Sequence, residues 1–534
     1  MTKKESHGGA TLSKPPAPAD HQRDLTHRVF LILTAFIAGA AVMIIELGGN
    51  RILAPWFGNS LYTWTGLIGV ILVSLSCGYY LGGYLADKRP NYVILAHLLA
   101  ASAVLTMLVP FLRPRLEGAI VSMDVVWGPV AATMLLFAVP GCLLAAVSPF
   151  TVRLISLLTG DKKVGISAGY VAMSSTLGSV MGTFCTGFIL VPHMRLSAIF
   201  FSTAAALGVL AVAGYALFVP TRGQKTWSAT VFAILFAAAW ALAAVSEPVN
   251  PPSVVFEQTT FYHQIRVVEG PGPNGDIQRL LLLDNTREGS QYLSSKELPF
   301  EYQAYWQLVK VFCPGMKRAA FLGGGAFGMP ERLLDAYPNA QADVVEIDPM
   351  VVQVGRKYFR VDEYPRMNAL AQDARRFLRT SGQKYDLIFG DAYNGIQTIP
   401  SHLVTTEFFG LVKDRLSADG IYMMNIISPG AGENSELFAS VTKTLCYVFK
   451  HVYVFMLYPD KPEVSQNIIL VAASRDLKVD SIPEERLKDS PQIKKLLATY
   501  VKPNQYDISK GFLFTDDSNP VEYLVAKALR AQKM

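Results

Sequence analysis

Seven stretches long enough to span hydrocarbon follow one another in the first half of this chain. They lie near residues 28–47, 62–85, 93–112, 125–147, 166–191, 196–219 and 227–246. One such run fits a buried helix of a soluble protein. Seven in series require a helical membrane domain, because backbone polar groups in hydrocarbon must be satisfied within each segment. Gly169, Gly178, Gly182 and Gly187 give the fifth run the small-residue face used for close helix packing. Five cysteines occur at no metal or paired spacing, so neither a metal site nor a disulfide framework is predicted. Residues 1–27 are polar and expected to be disordered, with no cleavable signal pattern.

Charge divides along the same line. Residues 1–253 carry 16 Lys+Arg against 9 Asp+Glu; the rest of the chain carries 32 against 33. The basic excess sits between apolar runs, where it reports membrane topology, and a near-neutral second half gives no support to nucleic-acid binding. An intracellular N-terminus puts Lys88, Arg89, Arg153, Lys162 and Lys163 inside, and only Arg51, Arg113, Arg115 and Arg195 outside. Seven crossings then place the second half outside the cytoplasm, whereas cofactor supply favours a cytoplasmic face; the expectation is a multi-pass protein of the inner membrane with a cytoplasmic soluble domain. Glu46 and Arg51 flank the end of the first span, and Asp87-Lys88-Arg89 closes the second. Both groups read as structural, the former as a mutual pair, because no span has a charge near its middle. The lack of mid-membrane acids also argues against polyamine transport through the helices.

After a proline-marked linker, residues 254–298 alternate as strands of a small antiparallel sheet, with QIRVVEG, RLLLLDN and SQYLS as its members. A helix is expected over 299–312. Then come a short apolar strand at 319–322, Gly323, Gly324, Gly325 and Gly328, an amphipathic helix, and a strand at 344–347 holding Glu346 and followed by Asp348. Strand, glycine turn, helix, strand and acid is the order of a nucleotide-binding βαβ unit. Further alternation predicts a strand at Leu370, a helix near 375–379, and a strand at 385–389. A helix at 405–416, a strand at 421–426 and a helix at 434–448 follow. Strands at 451–457 and 467–473 end the series as an antiparallel edge. Gly325, Glu346, Asp373 and Asp391 each follow a successive strand and should face one crevice. Glu346 suits a ribose diol. Asp373 suits an adenine amine, or merely caps the helix after it. Asp391, beside Tyr393, suits deprotonation of an amine nucleophile.

From about Phe256 to Phe455 the chain resembles spermidine synthase and its aminopropyltransferase relatives, in HQIRVVE, LLLLDN, Tyr302-Gln303, FLGGGAFG, VVEIDP, QDARRFL and YDLIFGDAYNG. As a whole it resembles the bacterial subgroup that fuses such a domain to membrane helices, with ELGGNRILAPWFGNSLYTW, GYYLGGYLADKR and TDDSNPVEYL adding to the match. The resemblance implies an N-terminal all-α transmembrane bundle (28–247) and a small β-sheet (254–298). A Rossmann-like, methyltransferase-type α/β domain would follow (299–534). It implies Asp391 and Tyr302 as catalytic residues and Gln264, Gln303, Gly323, Gly325, Glu346, Asp373 and Ala374 as nucleoside-binding. Tyr393 and Asn394 would hold the substrate. The implied co-substrate is decarboxylated S-adenosylmethionine, or S-adenosylmethionine itself, with no metal. The implied partners are a small amine, the lipid bilayer and, by analogy, a second copy in a homodimer.

The chain departs from the family pattern at Ala326, where the glycine turn of the family carries an aspartate, at Asn394 in its acidic loop, and at Ala304 in its YQE triplet. These changes weaken the attraction for a dication and leave three functions in competition. They are aminopropyl transfer, another S-adenosylmethionine reaction (methyl transfer or cleavage to methylthioadenosine), and a non-catalytic membrane carrier or sensor.

Overall fold

The computed structural model describes residues 18–218, 237 and 251–533, except 122, 160–163, 274, 394–397, 484–486, 488 and 489. The first block is a bundle: α1 (Pro18–Phe57), α2 (Leu61–Lys88), α3 (Tyr92–Val121), α4 (Gly128–Thr159), α5 (Val164–Cys185) and α6 (Leu196–Phe218). Six helices, one in each of the first six predicted stretches, are long and apolar enough to cross a membrane. The seventh stretch, 227–246, lies outside the described residues except for residue 237. So do residues 1–17 of the expected disordered tail, but 18–27 are helical. Their polar turns prolong α1 from Pro18, a residue whose fixed φ suits a helix start, and His27 Nδ1 lies 2.7 Å from the Tyr92 hydroxyl.

Glycine decides how these helices pair. A Cβ on Gly178 would lie 1.9 Å from the Phe36 carbonyl oxygen, and one on Gly182 2.6 Å from that of Ala40. The two glycines are one turn apart, so α5 presses its backbone onto α1. Gly78 and Gly82 do the same for α2 against Cys142 and Ala146 of α4. Ser174 Oγ and Ser179 Oγ of α5 donate to the carbonyls of Ile32 and Gly39. The outer faces show exposed apolar side chains, among them Leu72, Val73, Met173, Leu177 and Phe184, as a lipid-facing surface would.

The second block opens with an antiparallel sheet of four strands, β1 (Val254–Thr259), β2 (Gln264–Pro271), β3 (Ile277–Leu283) and β4 (Thr286–Tyr292). The expected helix at 299–312 is instead a 3-10 segment, Glu301–Leu308, with a single α-turn, Val309–Phe312. The Rossmann-like domain then lays down β5 (Arg318–Leu322), α7 (Gly328–Ala336), β6 (Gln341–Glu346), α8 (Pro349–Tyr358), β7 (Met367–Ala371), α9 (Ala374–Thr380), β8 (Tyr385–Gly390), α10 (Thr406–Arg415), β9 (Leu416–Ser428), α11 (Glu436–Val448), β10 (His451–Met456), β11 (Gln466–Ala473), α12 (Pro491–Leu497), β12 (Tyr500–Val501) and α13 (Val521–Lys533).

The sheet order is β12-β10-β11-β9-β8-β5-β6-β7. Strands β9, β8, β5, β6 and β7 run parallel, and β10 to β12 add antiparallel pairs. The two predicted edge strands are therefore capped by β12. The chain builds outward from β5 through β6 and β7, then returns to the other side of β5 with β8. That reversal opens a crevice at the carboxyl ends of β5 and β8.

The bundle meets the soluble half at the end holding the α1–α2 and α3–α4 connections. Arg530 of α13 makes a two-pronged ion pair with Asp124 (2.6–3.0 Å), and Glu522 accepts from Leu61 N (2.7 Å). Arg51 does not pair with Glu46 as expected from sequence; its Nη1 donates to the Tyr262 carbonyl (2.8 Å). Asp87 instead faces Arg153, and Lys88 covers the Tyr84 ring.

The α1–α5 seam can be tested directly. Gly178→Ala should lower full-chain stability by about 1–3 kcal/mol, the usual range for overpacking, as read by thermal unfolding in detergent. Gly69→Ala, where nothing lies within 4 Å of the added carbon, should be neutral or stabilising.

Candidate active site

Close backbone approach at the strand reversal creates the site. Gly323 has φ +105°, and a Cβ there would stand 2.3 Å from the Asp391 carbonyl oxygen, so the ends of β5 and β8 can touch only through glycine. Asp391 N donates to Leu322 O (2.8 Å) across the same gap. Gly325 is left-handed too, at φ +47°. The turn bends over a cavity of about 840 Å³, lined by Gly323, Gly325, Glu346, Asp373, Ala374, Asp391, Tyr393, Tyr302 and Gln303. Nine of the eleven predicted site residues thus share one chamber.

Each acid is held differently. Glu346 Oε2 accepts from Gly324 N (3.1 Å) and Oε1 from Asp348 N (3.3 Å). Burial pushes its carboxyl above the ordinary range against those two donors. Asp348, the second acid after β6, is structural: it caps α8 through Met350 N (2.9 Å) and accepts from the Thr260 hydroxyl. Asp373 both caps and faces the cavity. Its Oδ1 accepts from Arg376 N (2.8 Å), its Oδ2 lies 2.9 Å from His402 Nε2, and His402 first, then the backbone donor, hold its carboxyl low.

Asp391 is the centre of a polar network. Burial pushes its carboxyl up to about 6, although Asn425 Nδ2 donates to Oδ1 (2.9 Å) and the Tyr302 hydroxyl to Oδ2 (3.0 Å). Asn467 donates to Asn425 Oδ1 (3.0 Å), and the Tyr393 hydroxyl to Asn425 O (3.0 Å). The carboxylate is thereby fixed in orientation while one edge of each oxygen stays open.

One predicted residue is not brought in. Gln264 does not line the cavity: its Nε2 donates to Glu257 Oε1 (2.5 Å) and its Oε1 accepts from Arg113 (3.2 Å). The three residues that precede β2, Phe261, Tyr262 and His263, line the cavity instead. His263 takes the cavity wall, its Nδ1 3.0 Å from Asp284 Oδ2. Asn394 lies outside the described residues.

Glu288 was not anticipated. It lines the cavity and makes no hydrogen bond among the described residues. Burial first, then the neighbouring Asp391 and Glu346 charges, push its carboxyl up to about 8. Leu281 pairs with Gly289 while Leu282 pairs with Arg287, so Glu288 is the extra residue of a β-bulge. A bulge re-aims the side chain it carries, and period-two reading along TREGSQY cannot find it. Also unforeseen is a wall made by the bundle: Leu47, Asn50 and Arg51 of α1, Asn59, Trp64 of α2, and Thr186 and Gly187. The last two belong to a π-helical turn, Thr186–Leu190, that follows α5; such turns recur at functional sites.

Residues 302–480 match the family described as spermine/spermidine synthase domain. A polyamine aminopropyltransferase of Vibrio vulnificus is 29% identical over 233 residues, 42% of this chain and 73% of that protein. Polyamine aminopropyltransferase 2 of Aquifex aeolicus is 25% identical over 452 residues, covering 80% of this chain and 85% of the relative. Among solved structures, spermidine synthase from Thermotoga maritima aligns with 18% identity over 47% of this chain and 85% of its own, at a TM-score of 0.38.

Asn425→Ala should remove one donor from Asp391. The carboxyl midpoint should climb from about 6 by roughly one pH unit, the equivalent of about 1.4 kcal/mol, in infrared titration differenced against Asp391→Asn.

Proposed function

We propose that this transferase, with its spermine/spermidine synthase domain, moves an aminopropyl group from decarboxylated S-adenosylmethionine to an amine. The observation that carries the reading is the shared chamber of Glu346 and Asp391, on either side of the glycine turn. Glu346 keeps one acceptor edge on each oxygen for a ribose diol, while its other edges hold the turn. Asp373 and Ala374 lie where the adenine edge would reach, and Tyr302 and Gln303 close the near wall.

Asp391 acts at the reacting end. Its two fixed donors leave it able to orient an incoming amine and take the proton that amine sheds. The N–C bond forms as the C–S bond breaks, the bonding pair stays on sulfur, and methylthioadenosine leaves neutral. Glu288, unpaired and bordering the same space, supplies a carboxylate for an ammonium and stands in for the acid missing at Ala326. In strand β4 its neighbour Gly289 packs on Ala326, where a Cβ would be 2.5 Å from Ala326 N.

Ala326 itself favours a second reading, use of S-adenosylmethionine with its carboxylate intact, because no acid from the turn repels that group. Methyl transfer from it would yield S-adenosylhomocysteine and no methylthioadenosine, whereas transfer of the uncleaved tail would release methylthioadenosine and show in the mass of the amine product.

Six helices of this length and apolarity support placing the bundle in a bilayer. The cavity end of the bundle carries Arg51, Arg113, Arg115 and Arg195. The opposite end carries Arg28, Lys88, Arg89 and Arg153, with Lys162 and Lys163 in the α4–α5 connection by sequence. At the cavity end Arg51 and Arg113 are already bonded to the soluble half. The positive-inside rule then turns the cavity away from the cytoplasm, the opposite of what cofactor supply alone suggests. Alkaline phosphatase fused after residue 534 should be active and a fluorescent protein there dark; a bright fluorescent fusion would reverse the orientation.

Purified full-length protein given decarboxylated S-adenosylmethionine and putrescine should release methylthioadenosine, detected by mass spectrometry. Asp391→Asn should cut kcat by about 10²–10⁴-fold, the scale of general-base catalysis, while sparing methylthioadenosine binding. The base works ionised, so kcat should fall about tenfold per pH unit below about 6. A variant with full activity would exclude Asp391 from the chemistry.

A further inference from the structure

The wall that the bundle contributes to the cavity contains a cation with no paired anion among the described residues. Arg51 lines the chamber from α1, is only partly accessible, and donates through Nη1 to the Tyr262 carbonyl (2.8 Å). The Phe261 ring lies 5.4 Å from the guanidinium carbon and fixes its plane. Among the described residues no carboxylate pairs with it. Asp284 and Asp348 act on it through space, but Asp284 is engaged by His263 and by Gln264 N, and Asp348 by Thr260 and Met350 N. A guanidinium withdrawn from water and left unpaired is costly, so such a position calls for an anionic ligand.

Its chain neighbour is unsatisfied in the opposite sense. Asn50, 2% exposed, also lines the cavity, and its Oδ1 is buried without a hydrogen-bond partner. The amide orientation follows from the neighbours. Trp64 Nε1, which can only donate, lies 2.9 Å from Asn59 Oδ1, and Asn50 Nδ2 donates to that same oxygen (3.3 Å). The atom left over on Asn50 is therefore an acceptor. Protein encloses that carbonyl, so it meets no ligand, and the donor fork left over on Arg51 fits a carboxylate.

We infer that Arg51 forms a subsite for a substrate carboxylate, so that the helical bundle selects a substrate of the transfer reaction. The inference rests on the transferase reading for which molecules enter the cavity. Two sources bring this group: the uncleaved tail of S-adenosylmethionine, or an amine acceptor that is itself an amino acid. In either case the chemistry balances as before. Nitrogen bonds to the methylene beside sulfur, the C–S bond breaks, methylthioadenosine leaves, and Asp391 takes the proton. With the uncleaved tail, the group transferred keeps its carboxylate.

Two ligand pairs differing only by a carboxylate test this: S-adenosylmethionine against its decarboxylated form, and ornithine against putrescine, the amines being titrated with methylthioadenosine present. Calorimetry on the full chain in detergent should show at least one pair in which the carboxylate-bearing member binds tenfold tighter or better. Arg51→Gln should bring that ratio close to one while changing the other member less than twofold, which also shows the variant is folded. Arg51→Lys should keep part of the preference. The pair that responds names the source. Wild type preferring the decarboxylated member in both pairs, or Arg51→Gln leaving both ratios unchanged, overturns the subsite. If Arg51→Gln loses all binding, the wild-type ratios and Arg51→Lys decide. Absence of methylthioadenosine release from any donor would sink the transferase reading instead, and leaves these binding ratios readable.

Discussion

The contact between the ends of β5 and β8 governs this molecule. Without a side chain at Gly323, the Asp391 carbonyl can rest against the glycine turn, and that contact brings Glu346 and Asp391 to one chamber from strands on either side of β5. A Cβ there would force the strand ends apart and separate the group that suits a sugar from the group that suits a proton. The sheet reversal supplies the crevice; the missing side chain lets its two strand ends meet.

Concentrating acids in that crevice has an electrostatic cost, and the structure manages it unevenly. Asp391 and Glu346 receive hydrogen-bond donors, which oppose the effect of burial. Among the described residues Glu288 receives none, and its carboxyl is raised to about 8, against about 6 for Asp391. Carboxyls held by protein donors stay in place before a ligand arrives, whereas a carboxyl without donors awaits a cation from outside. The cavity is thus divided into groups that position and a group that remains to be paired.

The bundle enters the same arrangement rather than standing apart from it. Its tight seams, where Gly178 and Gly182 press on α1 and Gly78 and Gly82 on α4, fix the end of α1 that presents Asn50 and Arg51. The α13 ion pair with Asp124 and the Arg51 bond to Tyr262 fasten that end over the chamber. A helix seam deep in the apolar half therefore bears on the shape of a polar site outside it.

Local pattern alone determined much of this protein. Apolar run length marks out each described bundle helix, glycines followed by an acid locate the nucleotide turn, and strand ends nominate Glu346, Asp373 and Asp391, because each signal depends only on residues close in sequence. Tertiary structure decided the rest. Bonds to Glu257 and Arg113 hold Gln264 outside the chamber; a bulge turned Glu288 in; docking carried Arg51 away from Glu46 to a partner 211 residues distant. Such outcomes depend on register and on which surfaces meet, and neither leaves a periodic trace along a single chain.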